Sequence, residues 1–162
     1  MRGGLEFWSN VFYLAAGVLM MVKGHIPTGI ALVFLAVTSG WFHLTGERTA
    51  RLADRLGMLA VMMAMAYEVG AFPWWFALSV VLLGPVIVQR PIDLIVAIMA
   101  GFLVGLRWPD SLWAAVLFAG AVLFAWLAEP FQYDREFALA YDVLHSLWHL
   151  LTASAITVYM LA

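Results

Sequence analysis

Cysteine is absent from the 162 residues. That excludes disulfides, thiolate metal sites and cysteine nucleophiles, so any metal here is a matter for nitrogen and oxygen ligands. Lysine occurs once, as Lys23 in a turn segment. A retinal Schiff base needs a lysine inside a helix, so a light-driven retinal protein is excluded. Charge is scarce: Asp, Glu, Lys and Arg make up 11% of the chain, against about 25% in soluble domains. The net charge of −2 leaves no basic footprint for nucleic acid.

What the sequence has in abundance is apolar surface. Hydrophobic residues are 65% of the chain and the mean hydropathy is +0.97. A soluble fold of this size cannot hide that much apolar area, so the bilayer is the expected solvent and helices the expected element. With about 17–25 residues needed per crossing, seven spans are expected, near 5–22, 27–44, 52–70, 73–88, 91–107, 111–128 and 133–161. The first is longer than a signal-peptide core and lacks a strongly basic start, so a retained span is expected there. Glycine, proline and polar residues punctuate the breaks, as in "KGHIPTG", "GAFPWW", "VQRPID" and "RWPDS". Connections this short make consecutive helices antiparallel neighbours. The expectation is an all-α, seven-helix membrane bundle forming a single domain over residues 1–162. Arg2, Arg48, Arg51, Arg55, Arg90 and Arg135 fall on the amino-terminal side, against Lys23 and Arg107 on the other. That asymmetry predicts a cytoplasmic N-terminus and a C-terminus on the opposite side.

Against this background a few polar residues stand out. His145 and His149 are four positions apart in the apolar stretch "YDVLHSLWHLLTASAI", and that spacing puts both imidazoles on one helix face. Intramembrane ionisable residues are costly unless something binds them. His43 lies near the end of the second span, and antiparallel alternation brings that end to the same membrane face as the start of the seventh. Three imidazoles with one open position are the ligand set of a catalytic zinc, although imidazole also suits iron, copper and nickel. Ser146 occupies the position where an HExxH helix carries its glutamate, so a general base must come from elsewhere. Asp54, at the start of the third span and the same depth, is the expected base. Ser39 lies one turn before His43 on its face, and Asp142 three residues before His145 is the expected partner of a ligating ring. Each has a plainer reading alone: HxxxH as a helix-packing pair, Asp54 as an ion-pair partner of Arg51 or Arg55, Ser39 as a small residue at a helix contact. Their common depth is what sets them apart. His25 and Glu68 read as interfacial residues of the other face. A haem bundle fits poorly, because histidines four apart on one helix cannot supply both axial ligands to one haem.

The pattern resembles that of the seven-helix intramembrane hydrolases, which include alkaline ceramidases, the adiponectin and progestin receptors and the lipid-remodelling phospholipases of GPI anchors. These share SxxxH in the second helix, Asp near the third and HxxxH in the seventh. Here the matching residues are Ser39-x-x-x-His43, Asp54 and His145-x-x-x-His149. The likeness is strongest to the alkaline ceramidases: "SGWFHLT" is similar to their S-x-x-F-H-x-T, "ADRLGML" to D-E-L-P-M, "HSLWHLLTA" to H-x-W-W-H-L-L-T-G, and "LEFWSN" to A-E-F-W-N-T. The resemblance implies a zinc ion on His43, His145 and His149, Asp54 as the proton acceptor, Ser39 as its aid, and hydrolysis of the N-acyl bond of ceramide or a related membrane lipid; the arginine count puts that site near the cytoplasmic face. The same superfamily implies two alternatives, a receptor with a structural zinc and an esterase or phospholipase acting on another acyl lipid. Glu6 matches one calcium ligand of the ceramidases, but the acidic segment that supplies the others has no counterpart here, so no calcium site is expected.

Overall fold

The structure, a computed structural model, describes residues 4–70, 103, 105, 107, 109–131 and 137–162. Among these, every regular element is a helix: α1 (Leu5–Ser9), α2 (Val11–Val22), α3 (Ile26–Thr45), α4 (Arg48–Glu68), α5 (Leu112–Ala128) and α6 (Ala138–Leu161), with a 3-10 turn at Glu129–Phe131. Three stretches are long and apolar enough to cross a membrane: Leu5–Val22, Ile26–Thr45 and Ala138–Leu161, of 18, 20 and 24 residues. The first two coincide with the spans expected near 5–22 and 27–44, and the third with 133–161 from Ala138 onward, residues 133–136 lying outside the described ones. α5 is apolar but shorter, 17 residues, and fills the span expected at 111–128. The expected spans at 73–88 and 91–107 lie outside the described residues, apart from Leu103, Gly105 and Arg107.

The third span needs a correction. Hydropathy begins it at residue 52, but the helix begins at Arg48 and ends at Glu68. Hydropathy marks where a helix enters apolar surroundings, whereas a charged segment is free to be helical ahead of that point. Asp54 therefore sits almost two turns inside α4, on rigid backbone, and not at its mouth.

Large apolar side chains lie outside while several polar ones lie inside. Trp8, Val22, Val37, Trp113, Trp126 and Leu139 are exposed, while Glu6, Ser9, Asn10, Thr28, Ser39, His43 and His149 are buried. That arrangement is stable where the surroundings are hydrocarbon and the polar groups partner one another inside. Apolar residues from α2, α3, α4 and α6 complete the interior, among them Met20, Leu32, Val61, Met62, Ile156 and Tyr159.

Close helix approaches set the frame. A Cβ at Gly17 would lie 2.9 Å from the carbonyl of Gly29, so the backbones of α2 and α3 touch there. A Cβ at Gly57 would meet Thr38 Oγ1 at 2.9 Å and Leu35 Cα at 3.1 Å, which seats α4 directly against α3. Between those helices the chain reverses at Gly46, whose φ of +66° and N–H···O bond to Phe42 (2.8 Å) end α3 in a left-handed cap that favours glycine. α4 restarts two residues later. This tight reversal keeps Asp54 beside the end of α3 that carries His43.

Candidate metal centre

α1 is short because its own side chains interrupt it. Ser9 Oγ donates to the carbonyl of Glu6 at 2.7 Å, and Asn10 Nδ2 donates to the same carbonyl at 3.0 Å and to that of Phe7 at 3.2 Å. Such local bonds compete with the helical ladder, and the run resumes as α2 at Val11. The buried face of α1 consists of Glu6 and Ser9. The helix packs against both α3 and α6.

His43 is the third residue from the end of α3, and His145 and His149 lie in the first half of α6. The three rings converge. Nε2 of His43 and Nε2 of His145 are 3.3 Å apart, and one ligand nitrogen from each histidine can be chosen so that all lie within 4.8 Å of one another. His43 and His149 are buried and His145 is partly buried. Their outer nitrogens are anchored. His43 Nδ1 is 3.2 Å from Glu6 Oε2, and His149 Nδ1 is 2.7 Å from Ser9 Oγ. Asp142, the expected partner of a ligating ring, lies near enough to Glu6 and His43 for their charges to act on its carboxyl.

The rings open onto a cavity of about 30 Å³ whose wall also includes Ser39, Asp54, Tyr13 and Trp148. That is room for an ion or a small number of waters, since one water needs about 10–15 Å³ on this measure. Leu35, Phe42 and Met58 supply its apolar side. All five residues expected to carry the chemistry (Ser39, His43, Asp54, His145 and His149) therefore border one space. Aromatic rings brace the imidazoles: Tyr13 on His149 at 5.1 Å, Trp148 on His145 at 4.9 Å and Phe42 beside His43 at 5.3 Å between centroids.

The residues fit a metal ion. Ligands about 2.0–2.1 Å from a tetrahedral zinc stand about 3.3 Å from each other, and 3.3 Å is the separation of the His43 and His145 nitrogens. Three imidazoles close enough to bind one cation are thus present; the donor set admits several transition metals. Sequence reading missed Ser9 and Tyr13, and it noted Glu6 only as the match to one calcium ligand of the ceramidases. No periodicity signals them, because their importance comes from contacts between the first and last helices. No protein-family model, curated protein or solved structure matches this chain.

Proposed function

We propose that this chain is a zinc-dependent hydrolase of membrane lipids that cleaves the N-acyl amide of ceramide or a related lipid, with an ester-bearing acyl lipid as the alternative substrate. One observation carries the reading: three convergent histidines, an acid and a serine hydroxyl line a single cavity at one end of a bundle of apolar helices. The SxxxH, Asp and HxxxH pattern supports the same conclusion, and so does the location. A lipid entering sideways leaves its acyl chain among apolar helix surfaces and presents its polar linkage at the depth of the histidines. In this reading the bundle has seven spans and a cytoplasmic N-terminus, and the site faces the cytoplasmic side.

His43, His145 and His149 hold the ion, which when bound supplies a water nucleophile available near neutral pH and polarises the acyl carbonyl. Asp54 accepts the proton released by that nucleophile and returns it to the departing amine, base and then acid. Ser39, one turn before His43, donates to the oxygen on which charge develops, a contribution worth about 2.7–4 kcal/mol where one such donor has been removed elsewhere. Leu35 and Met58 give the cavity an apolar side suited to the methylenes next to the scissile bond.

The test uses purified protein in detergent, given ceramide, phosphatidylcholine and diacylglycerol in separate mixed micelles, before and after chelation. Fatty-acid release from ceramide that chelation abolishes and zinc restores is the expected result. Asp54→Asn keeps the ion, and turnover falls about 10²–10⁴-fold, the usual share of a general acid–base. Metal-loaded protein that releases fatty acid from none of the three would sink the hydrolase and favour a receptor with a structural ion.

A further inference from the structure

The hydrogen bonds of α1 determine more than where a helix breaks. A serine hydroxyl has one proton and lone pairs to accept with. The Ser9 proton is directed at the Glu6 carbonyl, 2.7 Å away. Toward His149 Nδ1, also at 2.7 Å, Ser9 Oγ is therefore left to accept. The proton of that bond belongs to the ring, so His149 carries it on Nδ1 and its Nε2 is a bare lone pair. The same reasoning holds at His43. An ionised carboxylate only accepts, so Glu6 Oε2 at 3.2 Å accepts a hydrogen bond from His43 Nδ1–H, and His43 Nε2 is bare as well. His43 Nε2 is 3.3 Å from His145 Nε2, and one ring nitrogen of His149 joins the group that gathers within 4.8 Å. One five-residue helix thus reaches both histidine-bearing helices with neighbouring side chains of one face.

We propose that Glu6 and Ser9 are positioning residues of the metal centre: from α1 they hold His43 and His149 in the tautomer that turns Nε2 toward the ion. The inference rests on the metal-site reading of the three histidines, and it adds the first span to a site otherwise assigned to the second, third and seventh. It gives Glu6 a task that needs no calcium. It also accounts for burial of a carboxylate and a hydroxyl in an apolar helix, where each would otherwise be a loss.

Two measurements test it. The first is ¹⁵N NMR of histidine-labelled, ion-free protein in detergent, which reads each tautomer directly and depends on neither metal nor substrate. His43 and His149 are expected with the proton on Nδ1; Ser9→Ala should leave His149 a mixture while His43 is unchanged. The second is zinc affinity by competition with a chromophoric chelator. Loss of a histidine's outer partner typically costs about 10–100-fold in metal affinity, and that is the loss expected for Ser9→Ala and Glu6→Leu. Glu6→Gln, whose amide oxygen accepts the same bond, should stay near wild type, which separates positioning from charge and stands alone if Glu6→Leu does not fold. Protons on Nε2 of His43 and His149 in the wild type overturn the proposal. So do folded Ser9→Ala and Glu6→Leu proteins that bind zinc like the wild type; that outcome leaves the metal centre standing. A wild type that takes up no zinc overturns the metal reading and this inference together.

Discussion

The two ends of the bundle both contain buried or half-buried histidine, yet they solve the problem of polarity in opposite ways. At one end His25 precedes α3 and meets Glu68 from the end of α4, with Nδ1 and Oε2 3.1 Å apart. The same carboxylate accepts from the backbone N–H of Thr28 at 3.3 Å and from its hydroxyl at 3.0 Å. A single imidazole, one carboxylate and two donors close on themselves. At the other end three imidazoles crowd together: Ser9 and Glu6 meet the outer nitrogens of His149 and His43, while Nε2 of His43 faces Nε2 of His145 at 3.3 Å. Two lone pairs at that separation repel unless a proton or a cation lies between them. The first cluster is complete as a structural joint, whereas the second has the space and the ligands to hold a cation. Burial alone does not distinguish a functional histidine; what does is the direction of its unshared nitrogen.

The sharpest way to break that contrast is to remove one histidine from each end. His149→Ala takes away a ligand, and the loss of metal should exceed the about 10–100-fold that follows loss of an outer partner. His25→Ala should leave metal content at the wild-type ratio. Elemental analysis of the two purified variants beside the wild type reads both outcomes. Equal metal content in both variants would mean that the three-histidine end is as self-sufficient as the other.

The next largest effect falls on the frame that separates the metal ligands from the acid. Gly57 is three residues beyond Asp54, and its missing side chain lets α4 lie against Leu35 and Thr38 of α3. Thr38 Oγ1 is already bonded to the carbonyls of Phe34 at 3.0 Å and Leu35 at 3.2 Å, so it cannot swing aside without losing them. Gly57→Val should therefore separate the two helices, at a stability cost of about 1–3 kcal/mol for an overpacked contact. The consequences for the site are uneven. None of the histidines is on α4, so zinc affinity should hold. Asp54 moves, and a displacement of about 1 Å can cost 10²-fold in rate. Thermal unfolding, chelator competition and lipid turnover measured on one preparation separate the three effects. A fall in zinc affinity as large as the fall in turnover would show that the frame carries the ligands too.

How much of this was legible beforehand follows from which physics was local. Helical rise and period are properties of the chain itself, so Ser39 with His43, and His145 with His149, share faces before any fold is known. Alternating antiparallel spans then bring His43 to the depth of His145 by counting alone. The contact of Glu6 with His43 spans 37 residues, and that of Ser9 with His149 spans 140. Nothing in the period of "LEFWSN" reports them, since they depend on α1 packing against α3 and α6. Tyr13 was hidden in the same way, as one aromatic among many in an apolar run. The Glu68 cluster escaped because His25, Thr28 and Glu68 lie at helix ends, where polar residues need no explanation. The start of α4 was misplaced because hydropathy locates the bilayer and is silent about backbone. Apart from that helix start, what the sequence lacked was long-range pairing.

The smallest effect tests the closed end. α3 begins at Ile26 with no side-chain cap of its own, since His25 makes none. Glu68 serves in its place, accepting from Thr28 N–H in the first turn and putting negative charge at the positive end of the helix dipole, an interaction worth about 0.3–1 kcal/mol. Glu68→Gln keeps one acceptor oxygen but removes the charge and the second acceptor, so at least one of the three bonds is lost. A net hydrogen bond is worth about 0.5–1.5 kcal/mol, and the destabilisation should fall in that range, seen as a lower unfolding midpoint in detergent. Metal affinity and turnover should not move. If they did, the His25 and Glu68 cluster would be coupled to the metal centre along the length of α3 and α4, and the two ends could no longer be read as a structural joint and a working site.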